Sequence, residues 1–438
     1  MVRRFLGIAF LIAALAQLGV RGMQRVRHDI PLWDFVSVYS ASRTWIHGED
    51  PYDLTNVIAT WHTSGMWSDR DVSYFATVYP PTSLVIIAPF AVLPAGPAMI
   101  IWLILTIVLL GLMFAALADM AGLTWRDGRI LLLVGAALAA APLQFGILAG
   151  QLSLPAISAC IIAFWLVSRH HDGSAGVLLG LALALKPQIA APFVVYYLLV
   201  RHFKVAGFAA LVGGGIGVLS LLLMHTSHVD WVAGMRHSIA LTEQLGAVND
   251  YGWTNRFRDE MVDLRLPLIS ILHDANALRL AVGVIVAALL AWYFWLILRT
   301  GERSELLALA GLSAIALLAT YHRVYDVTLL TTAFAWALAE LDGQWRRYAL
   351  LLLIPMIVFL VPFDIVLTAG RRMPHLVSMS KTGWWQSLIA PLYALGLFAT
   401  ALGLLLTMSL MRRRESISVR LASLASQPLT VAANRLRP

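Results

Sequence analysis

Residues 79–94, YPPTSLVIIAPFAVLP, decide how the rest of the chain is threaded. Prolines at 80, 81, 89 and 94 punctuate an apolar stretch too short to cross a bilayer comfortably, because a crossing takes about 20 apolar residues. The segment therefore reads as a re-entrant or interfacial helix, and everything between the first hydrophobic segment and Pro97 stays on one side of the membrane. Upstream the chain runs from an apolar stretch, Phe5 to Val20, into Trp33-Asp34-Phe35-Val36-Ser37-Val38-Tyr39 and Gly48-Glu49-Asp50-Pro51-Tyr52-Asp53. Asp34 is a carboxylate at the edge of a chain otherwise built for lipid.

Composition supports that reading. The 438 residues are 60% hydrophobic and only 13% charged, with a mean hydropathy of +0.78, against about 25% charged in ordinary soluble domains. The expected class is an all-α integral membrane protein of about 12 spans, with no room for a soluble domain. The net charge of +8 lies in short connections and a basic tail, where it sets orientation rather than recruiting nucleic acid. Cys160, the single cysteine, excludes an intramolecular disulfide and every multi-cysteine metal motif. Arg3-Arg4, the apolar run and Ala14-Leu15-Ala16 have the outline of a cleavable signal. The run nevertheless continues to Val20, which favours an uncleaved first span.

Further apolar segments fall near 97–119, 129–147, 152–167, 173–186, 188–200, 205–224, 277–298, 304–320, 324–341, 347–367 and 386–408. Lys186-Pro187 breaks the 173–200 stretch into two tilted helices or one kinked helix. With alternating spans, Arg126, Arg129, Arg169, Arg201, Lys204, Arg299, Arg303, Arg346, Arg347 and Arg412–Arg414 share one side, which the positive-inside rule makes cytoplasmic. Both termini then lie in the cytoplasm of an inner-membrane protein. Residues 1–410 form one transmembrane domain, with outer loops at 24–97, 225–276 and 368–385. Residues 411–438 form a basic cytoplasmic tail, weakly amphipathic from Ser416 to Leu424 and disordered or surface-bound.

The order of several motifs resembles one family. Asp34-Phe35 with Tyr39, Gly48-Glu49-Asp50-Pro51-Tyr52, Tyr79-Pro80-Pro81, Gly150-Gln151, and Gly176 through Gly180 to Lys186-Pro187 are similar to the pattern of the GT-C glycosyltransferases of family GT87, with a weaker echo at His322-Arg323-Val324-Tyr325-Asp326. The resemblance covers roughly the first half of the chain. It implies a GT-C fold, a polyprenyl-phosphate sugar donor (mannose or, on similar architecture, arabinose), inversion at the anomeric carbon and a catalytic aspartate in the first outer loop. Acceptors would be glycolipid or glycan hydroxyls, membrane lipids the surroundings, and nucleic acid no partner. The oligomeric state is open.

Glycosyl transfer to a hydroxyl needs a base for the acceptor proton and support for a departing phosphate. Asp34 fits the base, although a helix N-cap or an interfacial acid is the plain alternative. His322, Arg323 and Asp326 suit the donor phosphate, and an Arg323–Asp326 ion pair is the structural alternative. Lys186 contacts phosphate or snorkels to the interface. Gln151 binds a sugar hydroxyl or bridges helices, and Tyr79 joins the same donor set. Asp50, Tyr39, Arg256, Arg258, Arg371 and Arg372 are weaker candidates; Asp50 and Asp53 suit a turn, and the loop arginines suit solvent or headgroups. His225, His228 and Asp230 lack a third strong ligand for a metal. No cofactor is demanded, and divalent metal dependence is open. The competing function is a transporter or flippase of lipid-linked sugars, with Lys186-Pro187 as a broken helix on its pathway.

Overall fold

The computed structural model describes residues 2–28, 31–64, 76–124, 126–252, 254–255, 257–299, 304–361 and 373–425. Within them the ordered elements are helical apart from one isolated bridge, Met261 to Arg323. That follows from hydropathy, since backbone polar groups in lipid must be satisfied inside the segment. In order the α-helices are α1 (Val2–His28), α2 (Trp33–Ile46), α3 (Leu54–Thr63), α4 (Pro81–Ala91), α5 (Ala95–Met120), α6 (Gly128–Ala139) and α7 (Ala141–Ala149). Next come α8 (Ser153–Ser168), α9 (Asp172–Leu185), α10 (Pro187–Leu199), α11 (Phe203–Thr226), α12 (Trp231–Thr242) and α13 (Arg265–Ile269). The series ends with α14 (Ala275–Arg299), α15 (Glu305–Ala319), α16 (Thr331–Glu340), α17 (Arg346–Met356), α18 (Pro374–Ser380) and α19 (Leu392–Ala425).

Among the described residues five helices are long and apolar enough to cross a membrane: Val2–Gln24 of α1, α5, α11, α14 and Leu392–Arg414 of α19. The pair α6 and α7, bent by 61° at its break, makes a sixth if counted as one span. The other expected spans are shorter. At 16 residues α8 rises about 24 Å, short of the roughly 30 Å hydrocarbon core. Lys186-Pro187 separates α9 from α10 as two helices. The 324–341 segment is a 3-10 stretch, Val324–Leu330, followed by α16. The 347–367 segment passes from α17 into a 3-10 turn at Ile357–Leu360, and its last residues lie outside the described ones. At the other end of the chain α19 passes through Leu410 without interruption.

The first loop is built on α2 to α4. With 11 residues, α4 rises about 16 Å and cannot cross. It is tied to α2 by Ser42 Oγ donating to the Leu84 carbonyl (3.2 Å) and Tyr39 OH to that of Leu93 (2.7 Å), and to the end of α9 by Ser83 Oγ donating to the Leu185 carbonyl (2.8 Å). These bonds bring Tyr79-Pro80-Pro81 to the level of Lys186.

At the amino terminus α1 lies along α6 with backbones nearly touching. A Cβ placed on Gly135 would sit 2.4 Å from the Gly7 carbonyl oxygen, and one on Gly7 would sit 2.5 Å from the carbonyl carbon of Leu131. Small residues allow that approach.

Candidate active site

Asp34 is positioned by the way α2 begins. Leu32 takes a left-handed conformation (φ 52°) and occupies the cap position, so Asp34 sits within the first helical turn and is not the N-cap. A carboxylate there faces the positive end of the helix dipole. Opposite, α7 ends at Gly150 in the left-handed region (φ 65°), where glycine carries no steric penalty. A Cβ on Gly150 would lie 2.8 Å from Leu32 Cβ and 3.0 Å from Phe35 Cβ. Trp102, stacked on Phe35 at 5.0 Å, donates its indole N–H to the Gly150 carbonyl at 2.9 Å. This packing presents Gln151, whose Nε2 donates to Asp34 Oδ2 at 2.9 Å. The Gln151 oxygen accepts from Tyr79 OH and from the Ser153 amide, both at 3.4 Å. Burial, with the negative Asp34 and Asp326 nearby, raises the Tyr79 phenol well above its ordinary range, so Tyr79 acts as a proton-holding donor.

A second carboxylate lies one step further in. Asp326, 1% exposed, lies in the first turn of the 3-10 stretch Val324–Leu330 after α15. Its Oδ1 accepts from Lys186 Nζ (3.1 Å) and from Ser153 Oγ, and its Oδ2 from His322 Nδ1 (2.8 Å). Lys186 also donates to Ser153 Oγ, and its ammonium stands 5.0 Å from the Tyr325 ring centre. Lys186 is 4% exposed, so it does not snorkel; a cation so buried persists because Asp326 neutralises it. His322 is buried, its Nε2 3.0 Å from Thr320 Oγ1.

The Arg323–Asp326 ion pair expected as the structural alternative is not formed between side chains. Arg323 instead pairs with Glu260 of the loop between α12 and α13 at 2.6 Å, while Asp326 receives only its backbone N–H, at 3.4 Å. The loop is laid over this segment by the Met261–Arg323 bridge and by the Val262 amide donating to the His322 carbonyl (3.1 Å). Arg323 Nε is buried and has no hydrogen-bond partner. Beside it Tyr251, Asp263 and Arg265 are joined by hydrogen bonds and an ion pair, and Tyr321 OH donates to Asn249 Oδ1 at 2.6 Å.

Asp34, Gln151, Tyr79, Lys186, His322 and Asp326 are thus brought into one connected group, with Arg323 adjoining it. Ser153 completes the connection and was not singled out from the sequence, although it lies two residues beyond Gln151; Glu260 was also missed. Tyr39 serves the fold: its hydroxyl holds the Leu93 carbonyl and receives Arg43. Asp50 is the turn residue of the plain alternative, accepting from the Tyr52 amide at 2.8 Å, and Asp53 caps α3 through the Thr55 amide. Arg258 is buried, with Nε unpartnered, and desolvation pulls its guanidinium below its ordinary value. Arg256, Arg371 and Arg372 lie outside the described residues. Asp230 caps α12 through the Ala233 amide, and no group of three metal-ligating side chains occurs among the described residues.

A family model described as "Glycosyltransferase family 87" matches residues 77–320, more than half of the chain. No curated protein and no solved structure matches.

Proposed function

Since the chain belongs to glycosyltransferase family 87, we propose that it moves a sugar, mannose in the first instance, from a polyprenyl-phosphate donor to a glycolipid or glycan hydroxyl. The transfer inverts the anomeric centre and takes place on the extracytoplasmic face. The observation that carries the mechanism is the 2.9 Å bond from Gln151 to Asp34, which orients a half-buried carboxylate at the edge of a polar group enclosed by helix ends. Asp34 takes the acceptor proton as the acceptor oxygen bonds to the anomeric carbon. The bond from that carbon to the phosphate oxygen breaks on the opposite face, and polyprenyl phosphate departs with the electron pair.

Arg323 is the best phosphate contact, because its guanidinium keeps an unsatisfied N–H beside a single carboxylate partner. Lys186 and His322 are both committed to Asp326, which suits them to holding the scaffold and its local charge balance. Tyr79 and Gln151 supply hydrogen bonds near the sugar. The site lies at the Thr320 end of α15, whereas Arg299, Arg346, Arg347 and Arg412–Arg414 lie at or beyond the other end of the bundle, which favours an outward-facing site by the positive-inside rule.

Asp34→Asn tests the base. Removing a general base costs about 10²–10⁴-fold, so transfer from a radiolabelled lipid donor in membranes falls by that factor while the variant elutes as folded protein. Transfer at the wild-type rate would remove Asp34 from the role.

A further inference from the structure

We propose that the groove between α14, α17 and α19, at the end of the bundle away from Asp34, binds one anionic glycerophospholipid. The groove encloses about 830 Å³, within the roughly 300–1,000 Å³ of small-molecule sites. Its walls are apolar along most of their length, with Leu352, Pro355, Gly403 and Leu406 among them, and no carboxylate is among its lining residues. At Gly403 the missing side chain keeps the wall open, since a Cβ there would lie 3.2 Å from Leu352 Cδ1.

The mouth has the opposite character. Arg412 lies over the Trp295 ring at 4.0 Å, and its Nη1 is buried with no hydrogen-bond partner. Arg413 also lines the opening. Around it Arg299 approaches Trp295 at 5.8 Å, Arg347 stacks over Tyr348 at 4.8 Å, and Arg414 stands over Trp345 at 5.5 Å. Asp342, the carboxylate just before Trp345, is taken by Arg3. Arginine over tryptophan marks a membrane–water boundary, and a buried guanidinium N–H left unpaired is costly unless a ligand accepts from it.

An apolar channel ending in an unsatisfied cation fits an amphiphile with an anionic head. A phosphodiester accepts from the guanidinium while an acyl chain fills the channel. A free phosphate would use the cation without the channel, and a zwitterionic lipid would use the channel with no net charge to offer. The site is separate from the reaction: α15 alone, with 15 residues, puts about 22 Å between the Ser304 end and Thr320, next to His322.

The test uses the full chain purified in a neutral detergent and examined by native mass spectrometry after exposure to phosphatidylglycerol, phosphatidylcholine or inorganic phosphate. One phosphatidylglycerol is expected to be retained, with retention falling about tenfold in Arg412→Gln, the loss of one charge-assisted contact. Gly403→Leu, which fills the channel and keeps every charge, is expected to lose the lipid as well. Arg412→Lys keeps the charge and loses the fork, and serves as the second variant should Arg412→Gln fail to fold; it should fall between the two. Equal retention by wild type and Arg412→Gln, equal retention of phosphatidylcholine, or displacement of the lipid by inorganic phosphate would overturn the proposal. Because the readout is binding, it stands or falls independently of which sugar is transferred.

Discussion

Asp326→Asn probes the centre of the polar group. The substitution is nearly isosteric, so its cost is electrostatic. In the wild type the side chains of Lys186 and Asp326 are 5% and 2% exposed and 3.1 Å apart. Leaving one charge of such a pair buried without the other costs about 3–5 kcal/mol. The amide oxygen still accepts from Lys186 and Ser153, but the amide nitrogen now faces His322 Nδ1, where the carboxylate accepted or shared a proton. His322 can answer by carrying its proton on Nε2 toward Thr320, so the loss should fall near the lower end, about 3 kcal/mol. Lys186→Met leaves the carboxylate without its cation and should cost about as much. The double variant removes both charges and should recover most of the loss, giving a coupling of at least about 2 kcal/mol. Unfolding in mixed micelles, titrated with a denaturing detergent, reads all four proteins. Single variants costing under about 1 kcal/mol, or losses that simply add in the double variant, would refute a buried, mutually dependent pair.

Three further perturbations address how the site is held. Gly150→Ala forces a side chain into a left-handed turn, at about 1–2 kcal/mol, and into Leu32 at 2.8 Å; melting temperature and turnover should both fall, and an unchanged turnover would detach Gln151 from the reaction. Glu260→Gln removes the carboxylate partner of Arg323; with Arg323 as the proposed phosphate contact, KM for the donor should decrease, and an increase would place Arg323 outside the phosphate site. Gly135→Leu cannot fit against Gly7, whereas Gly19→Leu meets nothing within 4 Å; size-exclusion profiles in detergent should show loss of folded protein only for the first.

Hydropathy made the helices readable, because an apolar run in lipid has no other way to satisfy its backbone. Proline and glycine made the breaks at 150 and 186 readable too. Length was less readable: among the described residues, segments such as 152–167 and 324–341 have spanning composition without spanning length as single helices. The gathering of Asp34, Gln151, Lys186 and His322 was legible only through the ordered pattern of motifs. Which partner each side chain chose was not. Arg323 lies three residues from Asp326 yet pairs with Glu260, 63 residues away in sequence, and Lys186 finds Asp326 across 140. Local spacing favours near neighbours, whereas the fold decides which buried charges meet. The family match has the same blind spot, as residues 77–320 stop short of both Asp34 and the His322–Asp326 segment.

The polar group sits where the backbone stops being regular in three places: after Gly150, at Lys186, and between Thr320 and Val324. Each interruption releases main-chain carbonyls and amides from helical bonding, and at membrane depth such groups persist only inside protein or beside a water-filled space. Here they stay inside protein: the Gly150 carbonyl accepts from Trp102, that of Leu185 from Ser83 and that of His322 from the Val262 amide, so each break is held by a partner of its own. A variant changed at Asp34 alone leaves all three of these bonds in place, which makes it a good vehicle for trapping a bound donor.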